Sequence, residues 1–140
     1  SEFSEKTMNI QVAVLCDSAV EYQNRLCILG TFDTISTHQL PATKPQCSIA
    51  LQILWTKIEE GTHTIKTRFM DEDGNPTLKT VNSTVKISIP PTSTFLTTNH
   101  ILNIQQLKFT RAGNYLIVID IDGNMQAEIQ LQVLQTEEKS

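Results

Sequence analysis

The chain has 140 residues, a formal net charge of −4, 39% hydrophobic residues and 19% charged residues. These values describe one globular domain large enough to bury a core without disulfides or metals, and they exclude an intrinsically disordered chain. The eleven Lys and Arg residues are scattered singly from Lys6 to Lys139. Phosphate backbones and anionic membrane surfaces both require clustered cations, so neither nucleic acid nor membrane is expected as a partner.

Residues 1–7 read as a vector-derived, disordered start, because Glu2-Phe3 is a dipeptide that a common cloning site encodes and Met8 is a natural initiator. Met8, Ile10, Val12, Val14 and Cys16 then share one face of a first strand. Asp17 to Asn24 reads as a polar connection, Arg25 to Gly30 as a second strand, and Thr31 to Leu40 as further extended chain. Pro41 to Pro45 is expected to break the chain. Beyond it Cys47, Ile49, Leu51, Ile53 and Trp55 alternate with other residues, and Glu59-Glu60-Gly61 marks a turn. Thr62 to Met70 is a strand with Ile65 and Phe69 inward, closed by Asp71-Glu72-Asp73-Gly74. Val81, Val85, Ile87 and Ile89 alternate with polar residues until Pro90-Pro91, and Thr92 to Thr98 reads as a loop. The apolar phase then switches from Leu102 and Ile104 to Leu107 and Phe109, which predicts a β-bulge at Gln105-Gln106.

The closing hairpin carries the cleanest pattern. Tyr115, Ile117, Ile119 and Ile121 alternate on the way up, and Met125, Ala127, Ile129, Leu131 and Val133 on the way back. A three-residue loop, Ile121-Asp122-Gly123, with Gly123 at positive φ, would set Ile119 opposite Met125 and Ile117 opposite Ala127. A two-residue Asp122-Gly123 turn would instead put Ile119 opposite Gln126 and Ile117 opposite Glu128, mixing the two faces, so the hydrophobic pattern chooses the longer loop. Ile117, Ile119, Ala127, Ile129 and Leu131 are expected inside, with Gln126, Glu128 and Gln130 in water.

No window shows a 3.6-residue apolar stripe, and β-branched residues dominate. The predicted architecture is all-β: an antiparallel immunoglobulin-like β-sandwich of about seven to nine strands. It forms a single domain over residues 8–135, followed by a polar tail at 136–140. The spacing Leu107-x-Phe109-x-x-x-Gly113-x-Tyr115 resembles a tyrosine corner and favours the sandwich over a barrel.

Chemistry is sparsely marked. Cys16, Cys27 and Cys47 lack metal-ligand spacing and read as free thiols, which argues for a reducing, cytoplasmic setting. Asp71, Asp73, Asp120 and Asp122 lie in two Asp-x-Asp-Gly-Asn segments, and calcium is an alternative reading if both turns meet at one end of the sandwich. Turn chemistry explains the same residues without a metal. His38, His63 and His100 are isolated in sequence and read as surface residues, with no visible acid–base partner. Asp17, Arg25 and Asp33 flank the first two strands, either as a salt-bridge cluster or as the polar rim of a binding surface.

The segments Met8–Ala19, Arg25–Ile35 and Leu40-Pro41-Ala42, with Asp71-Glu72-Asp73-Gly74 and Gly113-x-Tyr115, resemble an uncharacterised bacterial family of short β-rich proteins, a domain of unknown function. The resemblance implies a bacterial source and a stand-alone cytoplasmic domain, and it transfers no site residue. Taken together, these features predict a non-enzymatic module, without a cofactor, that binds a protein partner or itself. A calcium-dependent ligand or lipid binder is the alternative, and an enzyme assembled from distant residues is a third possibility.

Overall fold

The computed structural model describes residues 8–137, and no residue in that span is helical beyond a single 3₁₀ turn at Lys57–Glu59. The expected disordered start at 1–7 and the last three residues of the expected tail lie outside the described residues. Nine strands form: β1 Asn9–Tyr22, β2 Arg25–Thr31, β3 Thr34–Thr37, β4 Ala42–Thr56, β5 Gly61–Asp71, β6 Val81–Ile87, β7 Phe95–Phe109, β8 Gly113–Ile121 and β9 Asn124–Gln135. They make two sheets, one in the order β2-β1-β4-β7 and the other β3-β9-β8-β5-β6. The four-stranded sheet is antiparallel throughout. The five-stranded sheet contains one parallel pair, β3 with β9, so the expectation of a wholly antiparallel fold is corrected.

The two sheets share one core because each strand directs alternate residues to the same side. Leu15, Ile49, Ile53 and Trp55 meet Ile65, Phe69, Ile117 and Ile119 there. Tyr115 donates its hydroxyl hydrogen to the Arg111 carbonyl at 2.6 Å and sets its ring edge-on to Phe109, so the expected tyrosine corner forms. Cys16 and Cys47 are buried and Cys27 is exposed, all three as free thiols.

Several sequence expectations are corrected in detail. The polar segment Asp17 to Tyr22 continues β1 instead of connecting strands. Its turn is the two residues Gln23-Asn24, both at positive φ, with Tyr22 paired to Arg25. Pro45 does not break the chain but sits inside β4, and β7 begins at Phe95 within the expected loop. Pro45 is tolerated because β1 joins β4 only from Ser48 onward, which leaves that side of Pro45 without a ladder partner. The apolar phase of β7 does switch where expected. No extra residue is inserted, however: the β4–β7 register runs unbroken, and Gln106, across from Pro45, takes φ +57°.

The closing hairpin turns through Asp122-Gly123, with φ +51° and +84°, so the three-residue loop is also corrected. Asp120 pairs with Met125, but Ile119 pairs with Ala127, which makes Gln126 the extra residue of a bulge in β9. That bulge restores the faces that an unbroken two-residue hairpin would have mixed. Ile117 therefore opposes Ile129 and Tyr115 opposes Leu131, two positions from the expected register. The expected faces survive: Ile117, Ile119, Ile129 and Leu131 are buried, Ala127 is half-buried, and Gln126, Glu128 and Gln130 are exposed.

Candidate functional site

The β1–β2 hairpin departs from the rest of the sheet. β1 pairs with β4 only as far as Cys16, opposite Ser48. Gly30, at φ +68°, lies across from Asp17 so closely that a Cβ there would stand 2.8 Å from the Asp17 carboxylate. Only glycine fits that backbone angle and that approach together. Beyond this kink the hairpin crosses the outer face of β4: Ala19 and Leu26 pack on Ala50 and Ile101. Its tip reaches β7, where Asn99 donates to the Glu21 carboxylate at 2.8 Å and to the Asn24 carbonyl at 3.2 Å.

The opposite face of the hairpin is uncovered. Val20 faces Cys27 and Ser18 faces Leu29 across the ladder, with Val20 56% and Leu29 70% exposed. Tyr22 extends the same row at 64% exposure. β2 is also the terminal strand of its sheet, so its outer N–H and C=O groups meet no strand among the described residues. An exposed apolar row beside an open ladder edge is a feature that soluble proteins ordinarily blunt with charge or proline.

Asp17, Arg25 and Asp33 are not brought together. Asp17 pairs with Lys44 at 2.9 Å, and the same ammonium sits 4.7 Å from the centre of the Phe32 ring. Arg25 stands at the far end of the hairpin, beside Tyr22 and the turn. Asp33 lies where the chain passes from β2 to β3; its carboxylate accepts from the Thr34 hydroxyl and its carbonyl from the Gln132 amide. The salt-bridge cluster is therefore corrected, while Asp17 and Arg25 do bracket the exposed hairpin.

The four turn carboxylates are likewise separated. Asp71 pairs with Tyr115 at one end of the β5–β8 ladder, and Ile65 pairs with Ile121 at the other. Six residues of strand, roughly 20 Å, divide the two turns. Asp120 is held by Arg68 through two hydrogen bonds, at 2.6 and 3.2 Å. Asp71 accepts from the Asp73 and Asn75 amides and from Arg111, and those donors hold its carboxyl below the usual carboxylate range. A calcium site shared by both turns is not formed.

The fold also creates an acid–base pair that the sequence conceals. His63 Nδ1 lies 2.5 Å from the Asp122 carboxylate, while its Nε2 meets the Glu59 carbonyl and its ring packs 4.6 Å from that of Trp55. Both partners are acceptors, so both ring nitrogens must donate and the imidazolium fits best. Burial pushes the imidazole pKa down, but the Asp122 carboxylate and the Glu59 carbonyl outweigh it and the pKa is raised overall. With both nitrogens engaged, His63 clamps the 3₁₀ turn to the β8–β9 turn and has no nitrogen left for proton transfer.

A second feature lies between the sheets. β6 and β7 are the free edges of the two sheets on the same side of the core, and a cleft of about 280 Å³ opens between them. Ile49, Leu51, Ile65 and Leu102 form its apolar lining, and Thr67, Ser83 and His100 supply polar groups. His100 contacts the Thr98 hydroxyl at 2.8 Å, and that hydroxyl accepts from the buried Trp55 indole N–H at 2.8 Å. Burial lowers the His100 pKa, which keeps the ring neutral. The sequence did carry a signal for this cleft: Thr67 interrupts Ile65 and Phe69, and Ser83 interrupts Val81 and Val85.

The described residues thus form a two-sheet β-domain with an open hairpin edge at β2 and a cleft between the sheets. The chain is a member of the Family of unknown function (DUF6941), whose model matches residues 11–134. No curated protein matches the sequence. Among solved structures it is similar to the Pseudomonas fluorescens alkylpurine DNA glycosylase AlkC bound to DNA containing an abasic site analog, at 5% identity and a TM-score of 0.49. That match covers 95% of this chain and 32% of the glycosylase. It is also similar to a family 2 glycosyl hydrolase from Bacteroides cellulosilyticus, at 10% identity and a TM-score of 0.45, over 89% of this chain and 15% of the hydrolase. The chain thus spans about a third of the first protein and less of the second. No helix among the described residues is long and apolar enough to cross a membrane.

Proposed function

We propose that this protein is a non-enzymatic, immunoglobulin-like interaction module whose β1–β2 hairpin docks a protein partner by strand addition to β2. The observation that carries this reading is the coincidence of an open β2 edge with the exposed row Val20, Tyr22, Cys27 and Leu29. Strand addition takes affinity from main-chain hydrogen bonds and specificity from alternate side chains, and this hairpin offers both. The tyrosine corner supports the immunoglobulin-like description. The free thiols, including the exposed Cys27, support a reducing, cytoplasmic setting.

A second copy of the chain is the simplest partner, because antiparallel pairing of two β2 edges would bury the same row twice around a two-fold axis. Sedimentation velocity across the micromolar to millimolar range, with affinity capture from the native host, tests the reading. Wild type should self-associate or retain a partner, and a Val20→Lys, Leu29→Lys variant should do neither while keeping its melting temperature. A wild type that stays monomeric and captures nothing would overturn the reading, as would a variant that behaves identically.

A further inference from the structure

Three inward-facing polar residues interrupt the apolar stripes of three successive strands, and the fold delivers all three to one place. Thr67 on β5 lies between Ile65 and Phe69 and is 5% exposed. Ser83 on β6 pairs with Ile65, and Val81 pairs with Thr67, so the two strands present their hydroxyls side by side. His100 on β7 pairs with Leu51 and therefore shares the inner face of its sheet. A buried hydroxyl is ordinarily hydrogen-bonded to a side chain or to backbone. Buried Thr67 has no side-chain hydrogen-bond partner among the described residues, and it lines the cleft beside Ser83, which is exposed at the cleft mouth.

We propose that the cleft between β6 and β7 binds a compact, uncharged molecule that joins an apolar body to a hydroxyl or carbonyl group. The lining sets each part of that description. Ile49, Leu51, Ile65 and Leu102 supply an apolar bed, and the volume of about 280 Å³ admits only a small body. No Lys, Arg, Asp or Glu lines the cleft. A charged ligand would therefore surrender its hydration with no counter-ion in return. His100, held by Thr98, is neutral and adds no compensating charge. The polar group of the ligand is met by Thr67 and Ser83, whose hydroxyls both donate and accept. The opening lies between two sheet edges, so entry needs no strand to unpair.

Methyl-labelled NMR with four probes of similar shape tests the assignment: phenol, toluene, benzoate and benzylammonium. Phenol should shift the methyls of Ile49, Leu51, Ile65 and Leu102 in a saturable way, with toluene weaker and each charged probe weaker by roughly tenfold or more. Thr67→Val, which keeps the side-chain shape, should weaken phenol by roughly fivefold to tenfold and leave toluene unchanged or improved. Ser83→Phe should fill the cleft and abolish both. The assignment is overturned if no neutral probe gives saturable shifts at these methyls, if benzoate or benzylammonium binds as well as phenol, or if Thr67→Val weakens phenol and toluene equally. Self-association through β2 is a separate measurement, and neither result alters the other.

Discussion

The first and last hairpins of this molecule begin from the same local geometry and end in opposite environments. Both turn through two residues at positive φ, Gln23-Asn24 in one and Asp122-Gly123 in the other, and both carry alternating apolar residues on their arms. In β8–β9 a single bulge at Gln126 keeps the apolar residues aimed at the core, so Ile117, Ile119, Ile129 and Leu131 disappear from solvent. In β1–β2 the kink at Asp17 and Gly30 carries the arms away from the opposite sheet and leaves Val20, Tyr22 and Leu29 in water. Turn chemistry thus specifies that a hairpin forms, while the irregularity behind the turn decides what the hairpin faces.

The sharpest way to break this comparison is to shorten one apolar side chain in each hairpin. Ile119→Ala should lose about 2–5 kcal/mol, because Ile119 is wholly buried and its removal leaves a cavity. Leu29→Ala should change stability by no more than about 0.5 kcal/mol. Urea unfolding of the dilute monomer measures both, and equal losses would mean that the β1–β2 row is packed rather than presented.

Backbone strain separates the hairpins next. Gly123 holds φ +84° with open space where a Cβ would stand, so Gly123→Val pays only for the left-handed backbone. The expected loss is about 1–2 kcal/mol. A neutral result would show that the turn can rearrange so that residue 123 leaves the left-handed region.

The histidines sharpen the comparison through pH. The folded pKa of His63 is raised, so its contribution is complete below the unfolded value of about 6.5 and is lost as pH rises through the folded value. The stability gap between wild type and His63→Gln should therefore narrow as pH rises above about 6.5. His100 behaves in the reverse sense. Its folded pKa is depressed, so wild type loses stability as pH falls below about 6.5, and His100→Gln should remove that loss. Chemical denaturation across this range reads both slopes, and slopes of the same sign would refute the two environments described. The smallest effect belongs to the first turn. Gln23→Asn with Asn24→Gly supplies the residues such a turn prefers, and should raise stability by less than about 1 kcal/mol because the hairpin tip is exposed.

The sequence by itself determined the all-β character, the inward residues of β4, β5, β8 and β9 and the tyrosine corner, because period-two alternation and turn residues act over a few neighbours. It set Val14 and Cys16 on the core face of β1, where a register shift between Ile10 and Val12 brings Leu15 inward instead. It did not determine register. The bulge at Gln126 and the left-handed Gln106 are single-residue adjustments whose energetic reason is a core formed by distant strands. Nor did it show that His63 and Asp122, far apart in the chain, would share a hydrogen bond, or that Asp71 and Asp122 would stand at opposite ends of one ladder. His100 reads from the sequence as a surface residue, and Thr67 and Ser83 stand out only as single polar positions within their strands, whereas the fold sets all three on one cleft. Only the two-sheet packing decided that these positions coincide, because an inward direction on one strand is local, whereas the space it points into belongs to the whole fold.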